Sequence, residues 1–298
     1  MTQEVIHERT PRHHWTFFMI GIVVDSNSQM PPALAERYGI AIVPLTVTVD
    51  GSDYLEGVDF SADDFYQSWS DSHEPKVETS QPSPGAFVSV YTRLIEQGAT
   101  EILSIHIADA MSGTLNSARL AADMVGVPVR LVDTGTASFG ISCCAWLAAE
   151  AIASGADLEQ AAEVAEIRAA GLRTTFVVGV PRLIDRSGRA VGLGVEGAAV
   201  DGVPVLAMTG PDLSVLATVT DLEAAVRAMV DDALAQAPSS HAGLRIAIGT
   251  SDVSSSVMSE ALTEALTGAA GVAEVLQYRI GPSVGAHTGP GTSGLFVF

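Results

Sequence analysis

The sequence predicts an α/β fold in two domains, a parallel-sheet α/β domain followed by a smaller α+β domain. Three observations carry that expectation. Apolar strand-like runs alternate with helix-like periodicities through the first half, the pattern of βαβ units. From about Leu172 the rhythm changes to hairpin strands with fewer helices between them. The 298 residues also suit two domains at roughly 100–200 residues each. The expected division is a flexible extension over 1–15, an α/β domain over 16–170 and an α+β domain over 171–298.

Element by element, Trp15 to Val24 is an apolar run that ends at Asp25, as a buried parallel strand does. It is too short to span a bilayer. Ala41 to Gly51 reads as one strand closed by an Asp-Gly turn. Ser61 and Asp64 resemble a capping box that starts a helix to about Trp69. Ser83 is the expected cap of the next helix, with Pro84 at its first position, where a missing N–H costs nothing. Phe87, Val90, Tyr91, Leu94 and Ile95 then fall on one helical face, and Gly98 ends it.

Glu101 to Ile107 is the next strand, and Ser112 is expected to open a helix ended by Gly126. Val129 to Thr134 is a strand, an Ala-rich helix starts near Ser138, and Asp157 starts another. In the second half, Thr174 to Val180 is a strand and Pro181 to Gly188 a short helix. A Gly-rich stretch over 190–202 follows. Val203 to Thr209 and Ser214 to Thr220 form a hairpin about Gly210-Pro211-Asp212. Asp221 caps a helix to about Gln236, and two strands around a helix to Thr267 precede a Gly/Pro-rich loop and the last strand, Gly294 to Phe298.

Composition excludes some functions. With 47% hydrophobic and 17% charged residues the chain has ample core material. A net charge of −20 leaves no basic face for nucleic acid, and anionic membrane would repel it. No run suggests stable membrane insertion. The two cysteines, Cys143 and Cys144, are adjacent, where a disulfide is strained, so both read as buried filler in a reducing cytoplasm.

The polar residues that stand out lie at strand-to-helix turns, where α/β proteins build ligand sites. Thr79 and Ser80 precede the helix capped by Ser83, beside its unpaired N–H groups and positive dipole end, which can hold an anion without Lys or Arg. Capping and turn formation are their bland alternative. Ser112-Gly113-Thr114 repeats the arrangement, and Asp25-Ser26 adds a third polar cluster at the same edge. Asp25 is either a ligand or a turn cap. His106, inside an apolar strand, reads as a core histidine. His287 sits in the Gly/Pro-rich loop, where a histidine is either a site residue or merely exposed. Arg189 either pairs with local acids or orients an anion. No P-loop or zinc-ligand spacing appears, and Gly192-Leu193-Gly194 does not follow a long buried strand, so it is rejected as a nucleotide site.

The stretches IGIVVDSNSQMP, IVPLTVTVDGSDYLEGVDF, ETSQPSPGAFVSVY, ILSIHIADAMSGTLNSA, LVDTGTASFG and IGPSVGAHTGPGTSGLFVF together resemble the DegV family of fatty-acid-binding proteins. That family includes the fatty-acid-binding subunit of bacterial fatty acid kinase. The stretches follow the family's order from Ile20 to the C-terminus. The resemblance implies a long-chain fatty acid between helices and sheet, and no other cofactor. It implies a carboxylate held by Thr79, Ser80, Ser112 and Gly113, with Arg189 and His287 nearby and Ser26 at the same edge. It also implies a carrier rather than an enzyme, one that presents the acid to a separate ATP-binding fatty acid kinase subunit. The chain departs from the family pattern at Ser187-Gly188-Arg189, usually Gly-Gly-Arg, at the Gly-rich stretch after it, and at Asp109, which would bring negative charge toward the head group. Two other readings stay open. One is an acyl ester or acyl phosphate hydrolase using Ser112 with His106 or His287. The other is a site for a different apolar carboxylate.

Overall fold

The computed structural model describes residues 19–69, 72–186, 202–209, 212–236 and 243–298. The expected extension over 1–15, Arg189 and most of the Gly-rich stretch lie outside the described residues.

The chain opens with β1 (Ile20–Asp25), a 3-10 turn (Ser26–Ser28), α1 (Pro32–Tyr38) and β2 (Ala41–Val43). The single strand expected over Ala41 to Gly51 is in fact two. Pro44 has no N–H to continue the ladder, so β2 ends at Val43. The chain then leaves for a separate antiparallel sheet built from β3 (Thr46–Val49), β4 (Ser52–Leu55) and, after α2 (Ala62–Gln67), β5 (Val77–Ser80). Asp50 and Gly51 make the two-residue β3–β4 turn with φ of 50° and 85°, the positive pair that a type I′ hairpin requires.

Next come α3 (Pro84–Glu96), β6 (Glu101–His106), α4 (Thr114–Ala122), β7 (Val129–Asp133), α5 (Phe139–Ala153) and α6 (Leu158–Ala170). Strands β2-β1-β6-β7 form a four-stranded sheet with every pair parallel. Alternation within the strands builds a core on each face. Val23 and Ile102 point toward α3 and α4, whereas Ile22, Val24, Leu103 and Ile105 point toward α5 and α6. The expected caps are in place. Ser83 Oγ accepts the Ala86 N–H, and Ser61–Asp64 and Asp157–Gln160 are both reciprocal capping boxes. Helix α4 is shorter than its apolar pattern suggests, ending at Ala122 with Met124 exposed.

The remaining elements are β8 (Arg173–Val177), α7 (Pro181–Arg186), β9 (Val203–Thr209), β10 (Asp212–Val219), α8 (Leu222–Ala235), β11 (Leu244–Thr250), α9 (Ser256–Leu266), β12 (Val272–Arg279), α10 (Pro282–Thr288) and β13 (Ser293–Val297). They form a mixed six-stranded sheet, β10-β9-β8-β13-β11-β12, in which only β11 and β12 pair in parallel. The expected Gly/Pro-rich loop around His287 instead contains α10. Pro282 is tolerated because it takes the first helical position, and Gly289 stops the helix at φ 74°.

One face of the second sheet packs on α8 and α9 through Val205, Ile246, Ile248, Leu295 and Val297. The opposite face turns to the first domain. There Phe139, Cys143 and Trp146 of α5 meet Tyr278, Phe296 and Phe298. Arg245 closes the seam: its guanidinium lies 4.8 Å from the centre of the Trp146 ring and 2.9 Å from the Glu150 carboxylate. Both cysteines are free and buried, as expected. Among the described residues no helix is long and apolar enough to cross a membrane.

Candidate functional site

In the parallel sheet the connections run outward on opposite sides of β1 and β6, so the carboxyl ends of these two strands form the switch point at which α/β folds open a crevice. Asp25 and His106 end those strands, and both are fully buried. Asp25 accepts the Asn27 N–H (3.0 Å) and the Ile107 N–H (3.1 Å), fixing the start of the loop after each strand. The other carboxylate contact is His106 Nδ1 at 3.0 Å, and His106 Nε2 lies 2.6 Å from Ser104 Oγ, which in turn meets Tyr91 Oη. Asp25 is thus the turn cap of its two readings, and His106 is a core histidine.

Above this layer lies a cavity of about 380 Å³ between the two domains. That volume falls in the range of roughly 300–1,000 Å³ typical of small-molecule sites. Its floor is the inner face of the six-stranded sheet, and it is lined from Leu213 on one edge strand to Tyr278 on the other. Cross-strand register places Tyr278, Gly249, Gly294 and Phe176 in one row. Both glycines make room for those aromatics: the Tyr278 ring lies over Gly249, and Phe176 lies against Gly294. A Cβ at Gly249 would stand 2.6 Å from the Tyr278 ring. Phe296, Met208, Ile107 and Met111 complete the apolar lining.

One region of the wall is polar. Thr79 is in β5, held opposite Val47 of β3, rather than in the turn that its sequence context suggests. Its Oγ1 lies 3.4 Å from His287 Nε2, so β5 and α10 bring together two residues 208 positions apart. Gln81 lies across Gly113, where a Cβ would sit 2.6 Å from the Gln81 side-chain nitrogen; only glycine admits that approach. Ser112 Oγ accepts the Thr114 N–H at the start of α4 and lies 2.8 Å from the Thr114 hydroxyl. The helix starts that reach the cavity are those of α4, α5 at its cap Ser138, and α10 at Ser283. No residue of α3 lines it, contrary to the expectation that the Pro84 helix supplies the donors.

Thr79, Ser80, Ser112, Gly113 and His287 all line this cavity. Ser26 does not. It lines a second, larger cavity of about 870 Å³ on the other side of the seam, where its hydroxyl donates to Glu56 (2.5 Å) and accepts the Leu45 N–H. Asp109 is exposed and lines neither cavity. Arg189 lies outside the described residues. Among the described residues that line the inner cavity there is no Lys or Arg.

Several site residues escape sequence reasoning. Asn27 is buried and ties three loops together: its Oδ1 accepts the Ser138 N–H (2.9 Å) and its Nδ2 donates to Ser283 Oγ (3.1 Å). Ser138 is held at φ 59°, ψ −148°, a region almost reserved for glycine. Glu56, buried and with no ion pair among the described residues, accepts the Ser283 N–H (2.8 Å) near the start of α10, so it works as a helix cap supplied from the other domain. Gln29 donates to Glu56 and accepts the Gly281 N–H. Burial pushes the Glu56 carboxyl above the usual range, against hydrogen bonds from Ser26, Ser283 and Gln29 that lower it. The only sequence signal was indirect: Asn27, Gln81, Ser138 and Glu56 fall within the family-like stretches without standing out as chemistry.

Comparison with known proteins gives a consistent picture. A family model described as an uncharacterised protein family, DegV, matches residues 19–298. A DegV domain-containing protein of Streptomyces coelicolor is 32% identical over 280 residues, covering 93% of this chain and 98% of the relative. Among solved structures, a DegV family protein from Thermus thermophilus, described by its fatty acid binding, superposes with a TM-score of 0.85 at 29% identity over 94% of this chain and 99% of the other. A Thermotoga maritima protein described as revealing a fatty-acid-binding function gives 0.80 at 25% identity, over 94% and 99%.

Proposed function

The chain belongs to the DegV family, and on that premise we propose that it binds a long-chain fatty acid in the inner cavity. The observation that carries the reading is the cavity's composition: an apolar lining with neutral hydroxyl, amide and imidazole groups and, among the described residues, no Lys or Arg. In the proposed pose the carboxylate meets the Thr79 and Ser112 hydroxyls, His287 and the start of α4, with Ser80 and Gly113 beside them. The acyl chain lies over the sheet between Phe176 and Tyr278. Hydroxyls and a helix start are suited to orienting an anion. Burial of the chain, at about 0.8 kcal/mol per methylene, supplies most of the affinity. The fatty-acid-binding relatives of similar fold support the reading. Arg189 is a further candidate by resemblance.

Two tests bear on this. Protein purified from cells is extracted with solvent and the extract examined by mass spectrometry; a fatty acid is expected. Titration calorimetry with a long-chain acid then compares the wild type with Thr79→Ala and Ser112→Ala. Each should lose about 1–3 kcal/mol, the worth of a hydrogen bond to a charged acceptor. Protein that is empty and ignores added acids would refute the proposal. Unchanged affinity in the double variant would move the head group elsewhere. By resemblance we extend the proposal to hand-over of the acid to a separate ATP-binding kinase subunit. Acyl phosphate formed only with both proteins and ATP present is the expected result.

A further inference from the structure

Helix α10 has no side chain of its own to cap its start. Its N-cap is Gly281 and its first residue is Pro282, which has no N–H. The Gly281 and Ser283 N–H groups go instead to side chains of the first domain, Gln29 Oε1 and Glu56 Oε1. Both oxygens of Glu56 are engaged, since the other accepts the Ser26 hydroxyl (2.5 Å). Gln29 reaches its place from a left-handed backbone, φ 53°, a conformation uncommon outside glycine. Any Cβ at position 281 would collide with both acceptors, so glycine is what admits them.

These bonds bear on the head-group site through the geometry of one short helix. Ser283 and His287 are four residues apart, about one turn of α10, and so share a face. Glu56 holds the first of them, and Thr79 meets the second at 3.4 Å. The two partners belong to one small sheet. Thr79 in β5 pairs with Val47 of β3, and Glu56 directly follows β4, its N–H donating to the Leu45 carbonyl just ahead of β3 (3.0 Å). The sheet therefore meets α10 at two points one turn apart. The far end of the helix is tied separately, by the Thr288 carbonyl to the Val180 N–H (2.9 Å). Ser283 and His287 line the inner cavity, whereas Glu56 and Gln29 do not.

We propose that Glu56 is a positioning residue for the head-group site: by capping α10 across the domain seam it sets where His287 stands against Thr79, without touching the ligand. The inference rests on the fatty-acid reading above and adds to it a residue outside the cavity that controls the grip on the carboxylate. Without the Glu56 carboxylate the buried Ser283 N–H has lost its acceptor. The start of α10 then shifts to find another, while the Val180 bond keeps the helix in the fold. The shift falls on His287 one turn on, whose contact with Thr79 is already at the long end of hydrogen-bond distance.

The test measures affinity for a saturated long-chain acid by calorimetry, below its micelle concentration. Wild type, Glu56→Ala, Glu56→Gln, His287→Ala and the Glu56→Ala/His287→Ala double variant are compared, each checked for folding by its thermal transition. His287→Ala and Glu56→Ala should each weaken binding about tenfold, a hydrogen bond's worth to a charged acceptor. The double variant should be no weaker than His287→Ala alone, because Glu56 acts through His287. Glu56→Gln keeps an amide oxygen for the Ser283 N–H and should recover most of the loss. Gln29→Ala removes the other cap and guards against a Glu56→Ala variant that does not fold; its loss should likewise vanish when His287 is already alanine. Losses that multiply in the double variants, a Glu56→Gln variant as weak as Glu56→Ala, or wild-type affinity in folded Glu56→Ala or His287→Ala overturn the positioning role while leaving the fatty-acid reading intact. Wild-type protein that does not bind the acid overturns the reading itself, and the positioning role with it.

Discussion

Gly285 offers a test in which two physical effects oppose each other. It lies in the middle of α10, a seven-residue helix, where alanine is intrinsically better than glycine by about 1 kcal/mol. Propensity alone therefore predicts that Gly285→Ala stabilises the protein. Packing predicts the reverse. A Cβ at this position would stand 2.6 Å from Phe65 Cε1 and 2.7 Å from Tyr66 Oη. Carbon atoms pack at ~3.5 Å, so α10 or the rings must move by about 0.9 Å. The rings have little freedom, since Phe65 is fully buried and makes edge contacts with Phe60, Tyr66 and Trp69. Overpacking of this kind costs about 1–3 kcal/mol. With two rigid contacts the upper half of that range applies, leaving a net loss of about 1–2 kcal/mol after the helix gain. Because α10 carries Ser283 and His287, fatty-acid affinity should fall as well, the Thr79–His287 contact being already 3.4 Å. Urea denaturation and titration calorimetry read the two effects. The Tyr66 hydroxyl is buried without a hydrogen-bond partner among the described residues, so Tyr66→Phe alone should be neutral or stabilising by up to about 1 kcal/mol. Combined with Gly285→Ala it should recover part of the loss, a coupling visible in the double-mutant cycle. A stabilised Gly285→Ala variant with normal affinity would refute the packing argument.

Three shorter predictions concern charge and reactivity. Burial raises the Glu56 carboxyl above its ordinary value of 4.5, so the native state holds more protons than the unfolded state from there upward, and stability falls as pH rises through that window. Glu56→Gln removes the effect, and its stability relative to wild type, followed by denaturation across pH, should increase from pH 4.5 toward neutrality; a flat difference would contradict the assignment. Burial pushes the Cys144 thiol up to about 12 and Cys143 well above its usual value, so a chromogenic disulfide reagent should leave native protein unmodified and react only after unfolding. Finally, with a net charge of −20 the protein repels a fatty-acid anion at long range. Raising ionic strength shortens the screening length from ~10 Å at 0.1 M to ~3 Å at 1 M and should hold or strengthen binding, whereas a head-group site dominated by cations would weaken.

Most helix starts in both halves of the fold were legible because their signals are local. Ser61, Ser83, Asp157 and Asp221 announce their helices through side chains that meet N–H groups three residues on. Pro44 and Pro282 were harder. One proline ends a strand and the other starts a helix, and which of these happens depends on neighbours far along the chain. The site divides the same way. Thr79, Ser112 and His287 stand out as reactive types in punctuated stretches, and the fold brings them to one cavity. Asn27, Glu56 and Gln29 matter through bonds to residues more than 100 or 200 positions away, such as Ser138, Ser283 and Gly281, and no periodicity or spacing encodes those partners. Ser26 looked like a member of the carboxylate cluster because it follows the first strand. In the structure that loop turns at Asn27, sending Asn27 to the inner cavity and Ser26 to the outer.

Of the two histidines that a hydrolase reading offers Ser112, burial removes His106. Ser104, His106 and Asp25 stand at distances of 2.6 and 3.0 Å, the connectivity of a serine–histidine–aspartate triad. Yet all three are fully buried beneath Phe87 and Tyr91, and none lines either of the two cavities. A nucleophile needs a route to substrate, and Ser104 has none. His106 has one nitrogen on Ser104 and the other on Asp25, so it offers neither to Ser112. In the cavity itself, the Ser112 oxygen meets the Thr114 hydroxyl and N–H, groups that orient an oxygen but do not take its proton. Strand β6 therefore separates two tasks along a few residues. Its buried histidine and the aspartate beside it lock the two loops in place, and the hydroxyl beyond them faces the cavity. The layout leaves Ser104 and His106 to the buried layer and gives Ser112 no base from β6.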